Sequence, residues 1–103
     1  MTTSDLDLSQ ITEKSAQAAG LLKLLSNQHR LLILCHLVET ELCVSELESR
    51  LDISQSSLSQ HLARLREQGI VDFRKESTTV YYRLADPKAA KVLETLHELF
   101  CKS

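Results

Sequence analysis

The chain has 103 residues, 43% of them hydrophobic and 4% aromatic, and a formal net charge of −2. This length fits one domain with a modest core, and the few aromatic side chains argue against binding of single-stranded nucleic acid by base stacking. No apolar run is long enough to span a bilayer and no charged-then-apolar leader opens the chain, so we expect a cytoplasmic protein.

The first part of the chain is predicted to form a short tail and two helices. Residues 1–8 are expected to be a flexible tail, and residues 9–25 a helix whose apolar face needs a partner to cover it. Ser26-Asn27 marks a turn, and a helix that is apolar nearly all round follows from His29 to Val38. Residues 9–103 are thus predicted to form one folded domain.

Residues 45–68 are typical of a helix-turn-helix. The first helix is predicted to begin in a capping box, with Ser45 as N-cap and Glu48 three residues later. Asp52-Ile53 interrupts the helical pattern, and Ser54 is the predicted N-cap of the second helix. Gly69 follows the last turn, where a glycine commonly ends a helix.

The second helix of this pair has uncharged polar side chains on its outer surface. Leu58, Leu62 and Leu65 form a stripe that faces the core. The opposite surface presents small side chains that donate and accept hydrogen bonds, as contact with base edges in a major groove requires. The predicted DNA contacts of this helix are Gln55, Ser56, Ser57, Ser59, Gln60 and Arg64.

After Gly69 the hydrophobic period changes from helical to strand spacing. Residues 70–84 are predicted to form a two-stranded hairpin, a wing, with a polar turn over 75–78. Residues 54–83 have a net charge of +2, whereas residues 1–53 have −4, so the positive charge lies on the second helix and the wing. Arg74 and Lys75 are therefore predicted to contact DNA phosphates, and Arg83 is also available.

Asp86 as N-cap and Pro87 as first helical residue open the last helix. The fold class is therefore α+β, mainly α: a winged helix-turn-helix with a two-stranded β-hairpin wing. Apolar faces on the first and last helices predict a homodimer built through these helices. Two-fold symmetry would set the two second helices of the pair about 34 Å apart, one turn of duplex, and predicts a palindromic operator in double-stranded DNA.

The chain resembles the ArsR/SmtB family of winged-helix transcription regulators over residues 15–101. The segment LLKLLSNQHRLLILCHL is similar to the family's entry helices, VSELESRLDISQSSLSQHLARLREQGIV to its helix-turn-helix, and TTVYYRL to its second wing strand. The resemblance implies an obligate homodimer that binds operator DNA and changes affinity when an inducer binds. It also implies that Gln55, Ser56, Ser59 and Gln60 face the groove.

The metal sites of this family are incomplete here. Cys43-Val44-Ser45 has one thiolate where arsenic- and cadmium-sensing members have Cys-x-Cys. The match to the zinc and nickel site gives Asp86-Pro87-Lys88 and His97-Glu98-Leu99-Phe100, which lacks two ligands. A soft-metal site needs three or four sulfur or nitrogen ligands, so we expect no metal and no cofactor. A metal-responsive repressor stays as an alternative.

Cys35 and Cys101 resemble the thiol pair of the HlyU/BigR/SqrR-type branch of this family. The resemblance implies sensing of oxidants or reactive sulfur species through a disulfide or polysulfide bridge between two helices. Taken singly, each cysteine has a simpler interpretation: Cys35 as a small buried apolar residue and Cys101 as a thiol at a frayed terminus. Some members of the branch repress sulfide-oxidation genes and others activate virulence genes by displacing a silencer, and both outputs stay open.

Other function classes have weaker support. The chain has no paired carboxylates, Ser/His/Asp set or Gly-rich phosphate loop, so we expect no enzyme activity. A protein-interaction module that uses a winged core without contacting DNA is the alternative from another class, and it predicts little dependence of binding on salt.

Overall fold

The computed structural model describes residues 8–101, which form five helices and three strands. The helices are α1 (Leu8–Leu25), α2 (Gln28–His36), α3 (Val44–Arg50), α4 (Gln55–Glu67) and α5 (Pro87–Phe100). The strands are β1 (Leu42–Cys43), β2 (Val71–Glu76) and β3 (Thr79–Leu84). The predicted winged helix-turn-helix is confirmed. The predicted tail lies outside the described residues except for Leu8, which begins α1.

One hydrophobic core joins the helices to the sheet. Leu58, Leu62 and Leu65 of α4 are at most 1% exposed, as the stripe predicted. The side chains that surround them from α2, α3 and α5 are Ile33, Leu34, Leu47, Ala89 and Leu93. Burial of the stripe fixes the rotation of α4 about its axis and so decides which of its side chains reach solvent. None of the described helices combines the length and apolarity that crossing a membrane requires.

The wing is a hairpin of β2 and β3, which pair antiparallel in one continuous register. The chain reverses at Ser77, where φ is 58°, and Thr78. The turn predicted over residues 75–78 is therefore too long, because Lys75 and Glu76 continue the ladder of β2 and pair with β3.

A third strand, which the sequence did not predict, extends the hairpin into a sheet of order β1-β3-β2. Leu42 pairs with Tyr82 and Cys43 with Tyr81, both antiparallel. Two residues are too few to show an alternating pattern. This short strand ties the start of α3 to the wing, so the wing and the helix-turn-helix hold a fixed relation to each other.

Two of the predicted N-caps are confirmed, and the capping box at Ser45 and Glu48 is wrong. Ser54 and Asp86 each accept a hydrogen bond from a backbone N–H of the following turn, at 3.1 and 2.8 Å. Helix α3, however, has Cys43 as its N-cap, whose backbone N–H donates to Glu46 Oε1 at 3.0 Å. The strand pairing of Cys43 holds it in an extended conformation and so sets where the helix begins.

Gly69 ends α4 with a φ of 75°, a conformation that side chains of L-residues rarely adopt. Apart from the adjoining residues and the backbone of the same helix, no described atom lies within 4 Å of a Cβ added at Gly69 or at Gly20 inside α1, so space is open at both. We expect Gly69→Ala to lower the free energy of unfolding by about 1 kcal/mol through backbone strain. The matched control Gly20→Ala should raise it by about 0.5–1 kcal/mol, because alanine is the better helix former. Urea unfolding measures both, and equal effects would contradict this account of Gly69.

Candidate nucleic-acid interface and thiol pair

The outer surface of α4 is uncharged over its first two turns. The buried leucine stripe turns Gln55, Ser56, Ser59 and Gln60 to solvent, with Arg64 also exposed one turn on. Ser57 is partly buried, and its backbone N–H donates to the N-cap Ser54. The structure therefore brings the predicted α4 contacts together on one surface, with Ser57 at its margin. Small amide and hydroxyl side chains let a helix approach base edges closely.

Arg74 on β2 is bound by two carboxylates. Its Nε donates to Glu41 Oε1 at 2.9 Å, and its Nη1 donates to Glu76 Oε2 at 2.7 Å. The guanidinium carbon also lies 4.5 Å from the centroid of the Tyr81 ring. The hydrogen bonds from Arg74 are the main cause that lowers the pKa of Glu41. A phosphate that contacts Arg74, as the sequence predicts, would have to replace one of these carboxylates.

The other basic residues of the wing differ in their partners. Arg83 Nη2 lies 3.2 Å from Asp72 Oδ2, which leaves Arg83 paired across the hairpin. The hydrogen bond from the Phe73 backbone N–H is the main cause that lowers the pKa of Asp72, and Arg83 adds to it. Lys75 is exposed, and no ion pair forms with it among residues 8–101. Lys75 is therefore the predicted wing contact whose charge is free for a phosphate.

Lys75 and α4 lie on the same side of the wing. Side chains two residues apart on a strand share a face, so Lys75 shares its face with Phe73. The guanidinium carbon of Arg66, in the last turn of α4, lies 3.9 Å from the centroid of the Phe73 ring. Arg74 occupies the opposite face of β2. The sequence did not indicate the contact of Arg66, because the pattern of α4 shows only that this residue lies beside the core stripe.

His61 lies at the side of α4 against α2. Its ring centroid is 6.0 Å from that of His29, with the rings arranged edge to face. Burial is the main cause that lowers the pKa of His61, and the charges of Arg30 and His29 lower it further. His61 is therefore neutral at neutral pH and adds no positive charge to the surface of α4.

The three cysteines are free thiols in two different environments. Cys35 on α2 and Cys101 at the end of α5 are exposed, whereas Cys43 is 8% exposed. The buried-residue interpretation of Cys35 is therefore wrong, and Cys43 is the packing residue, its Sγ 3.2 Å from Ser45 Oγ.

Cys35 and Cys101 interact electrostatically. Partial desolvation is the main cause that raises the pKa of Cys35, and the charge of Cys101 raises it further. A smaller fraction of Cys35 is therefore thiolate at neutral pH than for a fully hydrated cysteine, and the thiolate is the reactive form.

Cys35 lines an open cavity of about 490 Å³ between α2 and α5. His97 of α5 lines the same cavity and lies one helical turn before Cys101, whose backbone N–H donates to the His97 carbonyl oxygen at 2.9 Å. The carboxylates of Glu39 and Glu94 also line this space. A small reagent has open access to Cys35 from this side. Within residues 8–101, no group of three or more His, Cys, Asp or Glu side chains is placed to hold a metal ion.

Helices α1 and α5 expose large apolar side chains. Ile11 and Leu22 of α1 are 43% and 58% exposed, and both lie on one face because eleven residues complete three turns. On α5, Leu99 and Phe100 are 69% and 81% exposed. The apolar face predicted for the first helix is thus divided: Leu25 is buried in the core and Leu21 packs partly against it, whereas Ile11, Ala18 and Leu22 face solvent.

Comparison with known proteins finds the same sequence pattern and fold. The family model for "Bacterial regulatory protein, arsR family" matches residues 27–72. The transcriptional activator HlyU of Vibrio cholerae is 48% identical over 98 residues, covering 95% of this chain and 91% of that protein. A biofilm growth-associated repressor of Agrobacterium fabrum is 44% identical over 97 residues, covering 94% and 83%. The crystal structure of a transcriptional regulator HlyU from Vibrio vulnificus matches with a TM-score of 0.87 at 47% identity, covering 93% of this chain and 100% of that chain.

Proposed function

From the premise that the chain belongs to the arsR family of bacterial regulatory proteins, we propose a homodimer that binds a palindromic operator and weakens its binding when Cys35 and Cys101 are oxidised or persulfidated. The protein is a DNA-binding transcriptional regulator and not an enzyme. The homodimer, the operator contacts and the thiol response are the parts that we propose.

The observation that carries the DNA contact is the arrangement of α4 beside the wing. The exposed amides and hydroxyls of α4 are suited to base edges, since glutamine and serine donate and accept hydrogen bonds there. Arg64 at the margin of α4 and Lys75 on the wing supply positive charge for flanking phosphates. Arg74 adds to it where a phosphate replaces one of its two carboxylate partners. Bases and phosphates are thus contacted by two elements held together through β1 and the core.

The exposed apolar side chains of α1 and α5 support the homodimer. Isolated apolar side chains at a surface are ordinary, but two helices with such faces in a chain of this size indicate an interface. A symmetric dimer presents two copies of α4, about 34 Å apart if they occupy successive major grooves on one side of the duplex. This spacing requires an operator with two related half-sites.

The thiol response needs two reaction steps. A cysteine thiolate attacks the outer sulfur of an organic persulfide, RS–SH, which forms a cysteine persulfide and releases RS⁻. The second cysteine thiolate then attacks the inner sulfur of this persulfide, which forms a disulfide and releases HS⁻. The accessible cavity that Cys35 shares with His97, one turn before Cys101, and the effect of the Cys101 charge on the pKa of Cys35 support this pairing. The bridge would join α2 to α5.

The bridge acts on DNA through the dimer. Helix α5 carries both Cys101 and the exposed apolar residues of the proposed interface, so a bond to α2 restrains the helix that positions the two protomers. A change in their relative position alters the spacing of the two α4 helices and weakens binding to both half-sites. Whether this activates or represses a gene depends on where the operator lies relative to the promoter.

Two substitutions separate the predicted phosphate and base contacts. Lys75→Ala should weaken binding to every duplex alike. It should also make the negative slope of log K against log salt shallower by about 0.9 for each phosphate that the lysine neutralises. Gln60→Ala should reduce discrimination between the selected operator and mixed-sequence DNA by about 1–3 kcal/mol. Fluorescence anisotropy over a range of salt measures both, with Lys91→Ala on α5 as the charge control. The protein-interaction alternative would be supported if neither change exceeded that of the control.

A further inference from the structure

The outer face of the wing is the face of β2 opposite Phe73 and Lys75. On this face, two carboxylates of the same chain neutralise the charge of Arg74. Two edges of the Arg74 guanidinium group are occupied, since Glu41 binds Nε and Glu76 binds Nη1. Glu41 comes from the loop before β1, 33 residues earlier in the chain, and Glu76 from the same strand as Arg74. The ring of Tyr81 packs beneath the guanidinium group and helps to fix its position.

The ion pairs of Arg74 with Glu41 and Glu76 lie at the surface, where a phosphate could replace a carboxylate. The side chains of Arg74, Glu41 and Glu76 are 44%, 33% and 67% exposed. Ion pairs at such a surface are weak, because water and salt screen both charges. A phosphate offers Arg74 the same geometry as a carboxylate, since guanidinium groups bind both with two parallel hydrogen bonds.

We propose that Glu41 competes with DNA for Arg74 and so limits the affinity of the wing for phosphates. The proposal rests on the DNA contact of the wing proposed above. When a phosphate binds Arg74, it takes the place of the Glu41 carboxylate, which returns to solvent. Glu76 stays beside Arg74 on the same strand and keeps the side chain on the outer face. Glu41 is thus a residue that sets how strongly, and with what salt dependence, the protein binds DNA.

Replacement of the Glu41 carboxylate by a DNA phosphate changes the number of cations released on binding, and hence the salt dependence of binding. A phosphate contact normally releases a cation from DNA, which makes the slope of log K against log salt steeper by about 0.9. In the wild type, the displaced Glu41 carboxylate attracts a cation in turn, and this offsets the release. With a neutral side chain at position 41, the release is no longer offset. The slope for the variant should therefore be steeper.

The test measures binding of fluorescent mixed-sequence duplexes, roughly 30 base pairs long so that two half-sites fit, over a range of salt. We expect Glu41→Gln to raise the affinity at low salt by roughly three- to tenfold, because an exposed ion pair no longer has to break. The slope should steepen by up to about 0.9 per protomer. Glu39→Gln is the matched control. It removes the same charge from the same loop, but the described ion pairs of Arg74 are with Glu41 and Glu76 and not with Glu39. Adding Arg74→Ala to Glu41→Gln should abolish the gain.

The outcomes separate this proposal from the function on which it rests. Weaker binding by Glu41→Gln would show that Glu41 supports the wing instead of competing with DNA, and would overturn the proposal. An effect equal to that of Glu39→Gln would overturn it too, since only net charge would then matter. In both cases binding by the wild type leaves the DNA-contact proposal standing. A wild type without salt-dependent binding would overturn both.

Discussion

Treatment of the reduced wild-type protein with an organic persulfide is expected to lower its affinity for operator DNA by about 5- to 150-fold, the usual range of coupling between two sites. The physical reason is the position of the two thiols. Cys35 is exposed on α2, a helix whose Ile33 and Leu34 belong to the core of the winged domain. Cys101 directly follows α5, whose exposed apolar residues belong to the proposed dimer interface. A covalent bridge removes relative motion of these helices and changes the position of one protomer against the other.

The experiment compares four proteins on a duplex selected by the wild type from a random-sequence library. Cys35→Ser and Cys101→Ser should bind as the reduced wild type does and should not respond to persulfide. Cys43→Ala is the matched control, because Cys43 is buried and has no part in the proposed bridge, so it should respond fully. Mildly alkaline buffer should speed the reaction, because the raised pKa of Cys35 keeps its thiolate scarce at neutral pH. A full response by Cys35→Ser would refute the mechanism.

Leu22→Glu is expected to dissociate the dimer and to weaken operator binding by about 10²- to 10⁴-fold, the gain that two linked binding sites provide over one. Leu22 is 58% exposed on the face of α1 that it shares with Ile11. In the proposed dimer this face is covered by the partner, and burial of a carboxylate there without a partner charge is costly. Leu22 lies outside the core, so the fold of the protomer should be kept.

Leu32→Glu is the matched control for the dimer. Leu32 is 44% exposed on α2, and its substitution introduces the same charge away from the proposed interface. Analytical ultracentrifugation gives the oligomeric state, and circular dichroism confirms that both variants are folded. A folded Leu22→Glu protein that stays dimeric would place the interface elsewhere, and a wild type that sediments as a monomer would remove the basis for a palindromic operator.

The helices and the wing follow from local patterns, which is why most of the fold could be predicted. The leucine stripe of α4 needs only its own spacing to identify the buried side and hence the outward Ser and Gln side chains. The same holds for the N-caps Ser54 and Asp86, whose hydrogen bonds lie within one turn. Gly69 also acts locally, through its own φ.

The features that the sequence did not predict depend on residues far apart in the chain. Strand β1 exists only because Leu42 and Cys43 meet β3, about 40 residues later, and this pairing also moves the start of α3. The ion pair of Glu41 with Arg74 spans 33 residues. The charge of residues 54–83 therefore overstates the free positive charge of the wing, because Arg74 and Arg83 each have a carboxylate partner.

The thiol pair also could be predicted only in part from the sequence. The sequence supplies the residue types and the resemblance supplies the pairing, but neither decides whether Cys35 is buried. The structure exposes Cys35 and puts it on a cavity shared with His97, one turn from Cys101, and buries Cys43.

The most direct test of the proposed thiol response is peptide mapping by mass spectrometry after persulfide treatment. Digestion with trypsin and a glutamate-specific protease separates Cys35 from Cys43, because cleavage after Glu39 and Glu41 lies between them. We predict a bridge that links the Cys35 peptide to the Cys101 peptide and leaves Cys43 as a free thiol. A bridge that includes Cys43, or treated protein that loses DNA affinity with Cys35 and Cys101 unlinked, would contradict the account.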